Sequence, residues 1–283
     1  MAHTIIDLLA GGADGAIAFS APERANLTYG ALRKHVSATV AHLNGLGIGR
    51  NDRVAIVLPN GPEMASAFIA IGAGATTAPL NPGYRDEEFE FYLSDLRARA
   101  LVIQAGMESP AIAVAARLGV PVLRLTVEAG MEAGLFALEG QPVGPAKTDG
   151  LAKPDDAALV LHTSGTTSRP KIVPLSQRNI TVSAGNIART LALAPADRCL
   201  NVMPLFHIHG LIGAVLSSLS AGASIYCSPG FNALKFFAWV EDAKPSWYSA
   251  VPTMHQAILS RAERNPEILR EVVAVLVGSR RLD

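Results

Sequence analysis

Charge is scarce in this sequence. Charged residues make up 17% of its 283 residues, below the ~25% of ordinary globular proteins, while hydrophobic residues make up 49% and mean hydropathy is +0.28. So polar a deficit predicts either a large buried α/β core or a surface that meets another domain. The charges present cancel: Lys plus Arg and Asp plus Glu both number 24, and the pI is near 7.1. No global field draws nucleic acid or anionic lipid, so an anionic ligand has to be held by local groups. Cysteine is also scarce. Only Cys199 and Cys227 occur, in segments that read as neighbouring buried strands, which argues against a disulfide framework and fits a reducing, cytoplasmic setting. The opening MAHTIIDLLAGGADG has neither a basic region nor an apolar core, so no signal peptide is expected. A long apolar run is missing too. The least polar stretch, from Cys199 to Leu234, is broken by Pro204, Pro229 and several glycines. It falls short of the ~20 apolar residues of a membrane span and suits a buried helix followed by a buried strand.

What is present is an alternation of two periods. Leu32, Val36, Val40 and Leu43 recur at helical spacing, with Thr28 placed to cap the helix and Gly47 to stop it. RVAIVLP then reads as a strand buried on both faces, and Pro62 opens the helix PEMASAFIAIGAGA. TTAPL, ALVIQ and PVLRLT read as further strands, separated by the helices RDEEFEFYLSDLRA and SPAIAVAARLG. This order predicts an α/β fold of mostly parallel sheets with helices on both faces. Val127 to Asp156 is rich in Gly, Pro and Ala and reads as a long connection with room for one short helix. Beyond it come AALVLHTS, IVPLS, a helix from near Ser176, RCLNVMP, SIYCS, WYSAV and a last apolar run VVAVLVG. No repeat, charged tail or low-complexity tract interrupts the pattern. Two α/β units are expected, one over 53–185 and one over 1–52 with 186–283.

The segment His162 to Ser176, HTSGTTSRPKIVPLS, gathers Thr163, Ser164, Thr166, Thr167 and Ser168 around Gly165, with Arg169 and Lys171 on either side of Pro170. It follows a strand, and the C-terminal ends of parallel strands are where ligands bind. Hydroxyls and free backbone N–H groups donate to phosphate oxygens, and a lysine adds a point charge. The phosphate loop G-x-x-x-x-G-K-S/T is not matched, because the second Gly before Lys171 and the Ser or Thr after it are absent. By composition alone a solvated hydroxyl-rich turn fits equally well. His207, flanked by apolar residues, by itself fits a structural histidine better than a ligand. The acidic cluster Asp86, Glu87, Glu88 and Glu90 opens a helix, which suits capping and solubility and implies no metal.

TSGTTSRPK closely resembles the phosphate-binding loop of the acyl-adenylate-forming superfamily, which includes acyl-CoA synthetases, firefly luciferase and peptide-synthetase adenylation domains. LTYGAL at 27–32, LPNGPEMASAFIAIGAGATTAPLNPGY at 58–84, MPLFHIHGL at 203–211 and AVPTMHQAI at 250–258 resemble that family's other blocks, in the same order. The resemblance implies that Thr163, Ser164, Gly165, Thr166, Thr167 and Lys171 hold the β and γ phosphates of ATP. It implies that His207 contacts the carboxylate or ATP at the mouth of the substrate pocket, with His209 a weaker candidate, and that Pro252, Thr253, Met254 and His255 belong to the acyl pocket. Trp247 and Tyr248 read as core. ATP, Mg2+ and coenzyme A are the implied small molecules, and a small carboxylate the implied substrate. Ser168 and Ile172 stand where many relatives carry Gly.

The family's later blocks, which supply a glutamate for Mg2+, an aspartate for the ribose and a small C-terminal domain with a catalytic lysine, have no counterpart here. The chain is therefore expected to be a truncated N-terminal portion with little ligase activity alone, whose missing C-terminal portion would complete the site. PLFHIHGL with AVPTMHQAIL is most similar to ligases of short carboxylates or dicarboxylates, the oxalate–CoA ligase type. Two other readings stay open: a catalytically inactive fragment that binds nucleotide or a partner protein, and an adenylating enzyme with a non-CoA acceptor.

Overall fold

The computed structural model describes residues 2–163 and 170–262. In chain order the elements are α1 (Ile5–Leu9), β1 (Ile17–Ser20), β2 (Leu27–Thr28), α2 (Tyr29–Gly45), β3 (Arg53–Val57), α3 (Pro62–Gly72), β4 (Thr76–Pro79), α4 (Asp86–Leu96), β5 (Ala100–Gln104), α5 (Pro110–Arg117), β6 (Val122–Thr126), β7 (Ala137–Glu139), β8 (Ala157–Thr163), β9 (Lys171–Ser176), α6 (Gln177–Thr190), β10 (Arg198–Asn201), a π-helix (His209–Leu216), α7 (Ser217–Ser220), β11 (Ser224–Cys227), α8 (Phe236–Ala243), β12 (Trp247–Ser249) and α9 (Pro252–Ala262). The caps follow from side-chain chemistry. Thr28 accepts from the Ala31 N–H at the start of α2, and at the start of α6 the Ser176 hydroxyl accepts from the Asn179 N–H while Asn179 Oδ1 accepts from the Ser176 N–H.

Among the described residues the strands form two sheets. One runs β7-β6-β5-β3-β4-β8-β9 and is parallel except at its two ends, where β7 and β9 pair antiparallel. The other runs β12-β10-β11-β1-β2, with only the short β2 antiparallel. Alternate residues of β3 show how the first sheet is covered. Val54 and Ile56 join one apolar cluster, and Ala55 and Val57 join another that contains Phe89 and Leu93 of α4 and Val114 of α5. The larger cluster also takes in side chains from α1, α2, α3, α6, the π-helix and α7, together with Cys199, Ile225 and Cys227 of the second sheet. Leu200, Tyr226 and Tyr248 face the other way, onto α8 and Ile258 of α9. The order of layers is thus helix, sheet, helix, sheet, helix.

Two sequence expectations change. The connection over 127–156 carries no helix; it carries β7, whose Leu138 is buried between exposed Ala137 and Glu139 at the sheet edge. The apolar helix after His207 begins as a π-helix before continuing as α7. The run VVAVLVG at 272–278 lies outside the described residues. The two cysteines sit on adjacent parallel strands as free, buried thiols, and burial pushes both pKa values up. Trp247 and Tyr248 are buried, 6% and 7% exposed. Among the described residues no helix is long and apolar enough to cross a membrane, and no cluster of three His, Cys, Asp or Glu could hold a metal ion.

Candidate functional site

β8 is apolar from Ala158 to Val160 and becomes polar at its C-terminal end, where His162 and Thr163 emerge. β9 returns antiparallel beside it, and its first residue, Lys171, lies directly opposite Thr163. Directly opposed residues of an antiparallel pair share one face, so the Thr163 hydroxyl and the Lys171 ammonium are neighbours. Both residues are exposed. Ser164, Gly165, Thr166 and Thr167 join these strands and lie outside the described residues.

A cleft of about 480 Å³ opens at this end of the sheet. One wall is made by His162, Thr163 and Pro170, and the opposite wall by Phe206, His207 and Ile208. Tyr84, in the turn after β4, and Tyr92 of α4 close a third side, stacked with ring centroids 4.9 Å apart. Burial, then the Tyr92 hydroxyl, raises the Tyr84 pKa, so its O–H stays protonated as a donor. His162 is anchored rather than free: its Nε2 lies 3.0 Å from Asp95 Oδ2 and its ring meets the edge of Tyr92 at 4.6 Å. Burial lowers the His162 pKa, and the Asp95 carboxylate only partly offsets this.

His207 follows β10 on a short turn. Its ring lies 4.5 Å from that of Phe206, it is exposed toward the cleft, and desolvation lowers its pKa, which favours the neutral imidazole. The turn is pressed close against the start of the π-helix. A Cβ on Gly210 would lie 2.4 Å from the Pro204 carbonyl oxygen, so no larger residue fits there without moving the turn. π-Helical segments concentrate at functional sites, and this one begins two residues after His207. His209 points elsewhere, with its Nε2 2.7 Å from Ser249 Oγ on β12.

Of the expected acyl-pocket residues, Met254 lines a second, apolar cleft of about 360 Å³ that shares Phe206 and Leu80 with the first. Pro252 and Thr253 are exposed at the first turn of α9, and His255 Nδ1 is 3.0 Å from the Tyr248 hydroxyl. Sequence reasoning passed over Tyr84, Tyr92 and the His162–Asp95 pair. Tyr84 ends the block at 58–84 and His162 begins the hydroxyl-rich segment, but nothing in the spacing says that α4 folds against β8.

A model of the AMP-binding enzyme family matches residues 10–283. The chain is 40% identical over 255 residues to the oxalate–CoA ligase of Arabidopsis thaliana, covering 88% of this chain and 50% of that protein. It is 37% identical over 240 residues to the oxalate–CoA ligase of Saccharomyces cerevisiae, covering 77% of this chain and 44% of that protein. Among solved structures, apo MatB from Rhodopseudomonas palustris superposes with a TM-score of 0.78 at 22% identity, over 98% of this chain and 54% of the other. The chain spans about half the length of the curated relatives it matches.

Proposed function

Because this chain belongs to the AMP-binding enzyme family, we propose that it supplies the phosphate- and carboxylate-holding part of an AMP-forming carboxylate–CoA ligase. The observation that carries this reading is the cleft with Thr163 on one wall and His207 on the other. Thr163 and Lys171, with Ser164, Gly165, Thr166 and Thr167 between them, hold the β and γ phosphates of ATP. His207 meets the carboxylate from the far side. In the reaction a carboxylate oxygen attacks the α phosphorus, the bond to the β-phosphate oxygen breaks, and acyl-AMP and pyrophosphate form. A thiol, that of coenzyme A, then displaces AMP from the acyl carbon and gives up its proton. No protein nucleophile is needed, and the contribution of the chain is position and charge. Lys171 offsets negative charge on the departing pyrophosphate, and a neutral His207 can donate to the carboxylate without a competing charge. Among the described residues no group of three His, Cys, Asp or Glu could hold a metal ion, so Mg2+ would be held mainly by the ATP phosphates, where it would offset their charge.

The substrate class proposed is a short carboxylate or dicarboxylate. The oxalate–CoA ligase relatives support it. Calorimetric titration of the chain with ATP tests the first half of the proposal. Lys171→Ala is expected to weaken ATP binding by roughly 10- to 100-fold, the scale of a lost charge-assisted contact. Equal affinity in the two proteins would sink the assignment. Exchange of labelled pyrophosphate into ATP, with oxalate present, tests the chemical step. ATP binding without exchange would assign this chain the holding of phosphates and leave the transfer to the rest of a full-length ligase.

A further inference from the structure

The two walls of the cleft belong to different sheets. Thr163 ends β8 of one sheet, and His207 follows β10 of the other. Something must fix the spacing between them, and polar contacts across the sheets at this end converge on one side chain. Asn60 sits in the turn between β3 and α3. Its Oδ1 accepts from the Leu205 N–H at 2.8 Å, and its Nδ2 donates to the Ser228 carbonyl at 3.2 Å. Leu205 is two residues before His207, and Ser228 directly follows β11.

The partners fix the amide's orientation. A flipped amide would set Nδ2 against an N–H donor and Oδ1 against a carbonyl, losing both bonds. The groups it holds are themselves tied together. Ser228 Oγ donates to the Asn201 carbonyl at 2.8 Å, and the Asn201 side chain accepts from Met203 N and donates to Met203 O. Asn201 and Ser228 are 1% and 0% exposed, so their own polar contacts are shielded from solvent, while Asn60 is half-buried at the edge of the apolar cleft. Gly61 adopts φ +150°, open to glycine, and Pro62 takes the first position of α3. The turn after β3 of one sheet therefore presents a two-ended clasp to the loops of the other.

We propose that Asn60 is a positioning residue that sets the His207 turn against the wall made by His162, Thr163 and Pro170. The proposal rests on the function given above for that cleft. Asn60 lines the apolar cleft beside Met254 but not the cleft between Thr163 and His207, on which it acts through Leu205 and Ser228. An aspartate keeps the acceptor and loses the donor, and an alanine loses both.

The full chain, Asn60→Ala and Asn60→Asp are compared by amide hydrogen exchange, by His207 ring resonances, and by titration with ATP and with oxalate. In Asn60→Ala the Leu205 amide is expected to exchange at least about tenfold faster and oxalate to bind about tenfold more weakly, with ATP affinity held within about twofold. The His207 ring resonances should move with it. Asn60→Asp should restore the protection of Leu205, keeping the proposal testable if the alanine variant folds poorly. Unchanged Leu205 exchange and unchanged His207 resonances would overturn the proposal. So would equal losses for ATP and oxalate accompanied by a lowered melting temperature, since that pattern marks a merely structural role. A parent chain that binds neither ATP nor oxalate would overturn the assigned function instead, while Leu205 exchange and the His207 resonances would still decide the role of Asn60.

Discussion

His35 shows what one side chain can cost. It lies on α2 with its ring edge-on to Phe136 at 4.3 Å, and its Nε2 is buried without a hydrogen-bond partner. Desolvation lowers its pKa to about 4. A histidine with a depressed folded pKa leaves the unfolded chain to take up the proton first. Its neutral form is fully accommodated above pH ~6.5, and stability is lost as pH falls from there to about 4, by up to about 3 kcal/mol. Urea unfolding followed between pH 8 and 4 should show this loss, and His35→Phe should flatten the slope. An unaltered slope in the variant would show that another group carries it. The sequence offered the helical spacing of α2 but gave no sign that Phe136, a hundred residues later, would close over the ring. The same limit applies at the site. Thr163 and Lys171 stand out by their chemistry, whereas Asn60 and Asp95 gain meaning only from the atoms they meet.

At the scale of elements, the local signals were mostly sufficient. Thr28, Pro62, Ser109 and Ser176 each stand at the helix starts their chemistry suggests. The strand ALVIQ spans the residues its apolar run marks. The connection over 127–156 was the weak point, because a short edge strand with one buried residue leaves almost no periodic signal. Its far end is held by Asp156, which pairs with Arg50 at 2.6 Å and accepts from Asn51 and from the Lys153 N–H. Burial acts to raise the Asp156 pKa, but the Arg50, Lys153 and Asn51 hydrogen bonds outweigh it and bring it to about 2. This stabilisation is present above the ordinary carboxylate pKa and is lost as pH falls toward 2. Asp156→Asn should therefore lower unfolding free energy at pH 7 by about 2 kcal/mol, read from denaturant midpoints. A change below a few tenths would mean that the Arg50 pair is solvated and idle.

At the scale of the molecule, the middle helical layer holds both sheets. α3 packs on β4 of one sheet and β11 of the other, and Phe68 at its centre is fully buried. Phe68→Ala should cost about 3–5 kcal/mol and lower the stability of both sheets together. Two separated transitions in calorimetry would show that the sheets unfold independently. This dual packing also explains the scarcity of charge, since a helix covered on two sides is apolar around most of its circumference. By itself the sequence determined the α/β alternation, the buried strands, the helix caps and the hydroxyl-rich segment ending in Lys171, because each arises from residues close together in the chain. Only the tertiary structure decided that a π-helix follows His207, that His162 is bound to Asp95, and that His207 faces Thr163 across a cleft between two sheets. Those facts depend on contacts between distant segments, and spacing along a chain does not encode which strand ends will meet.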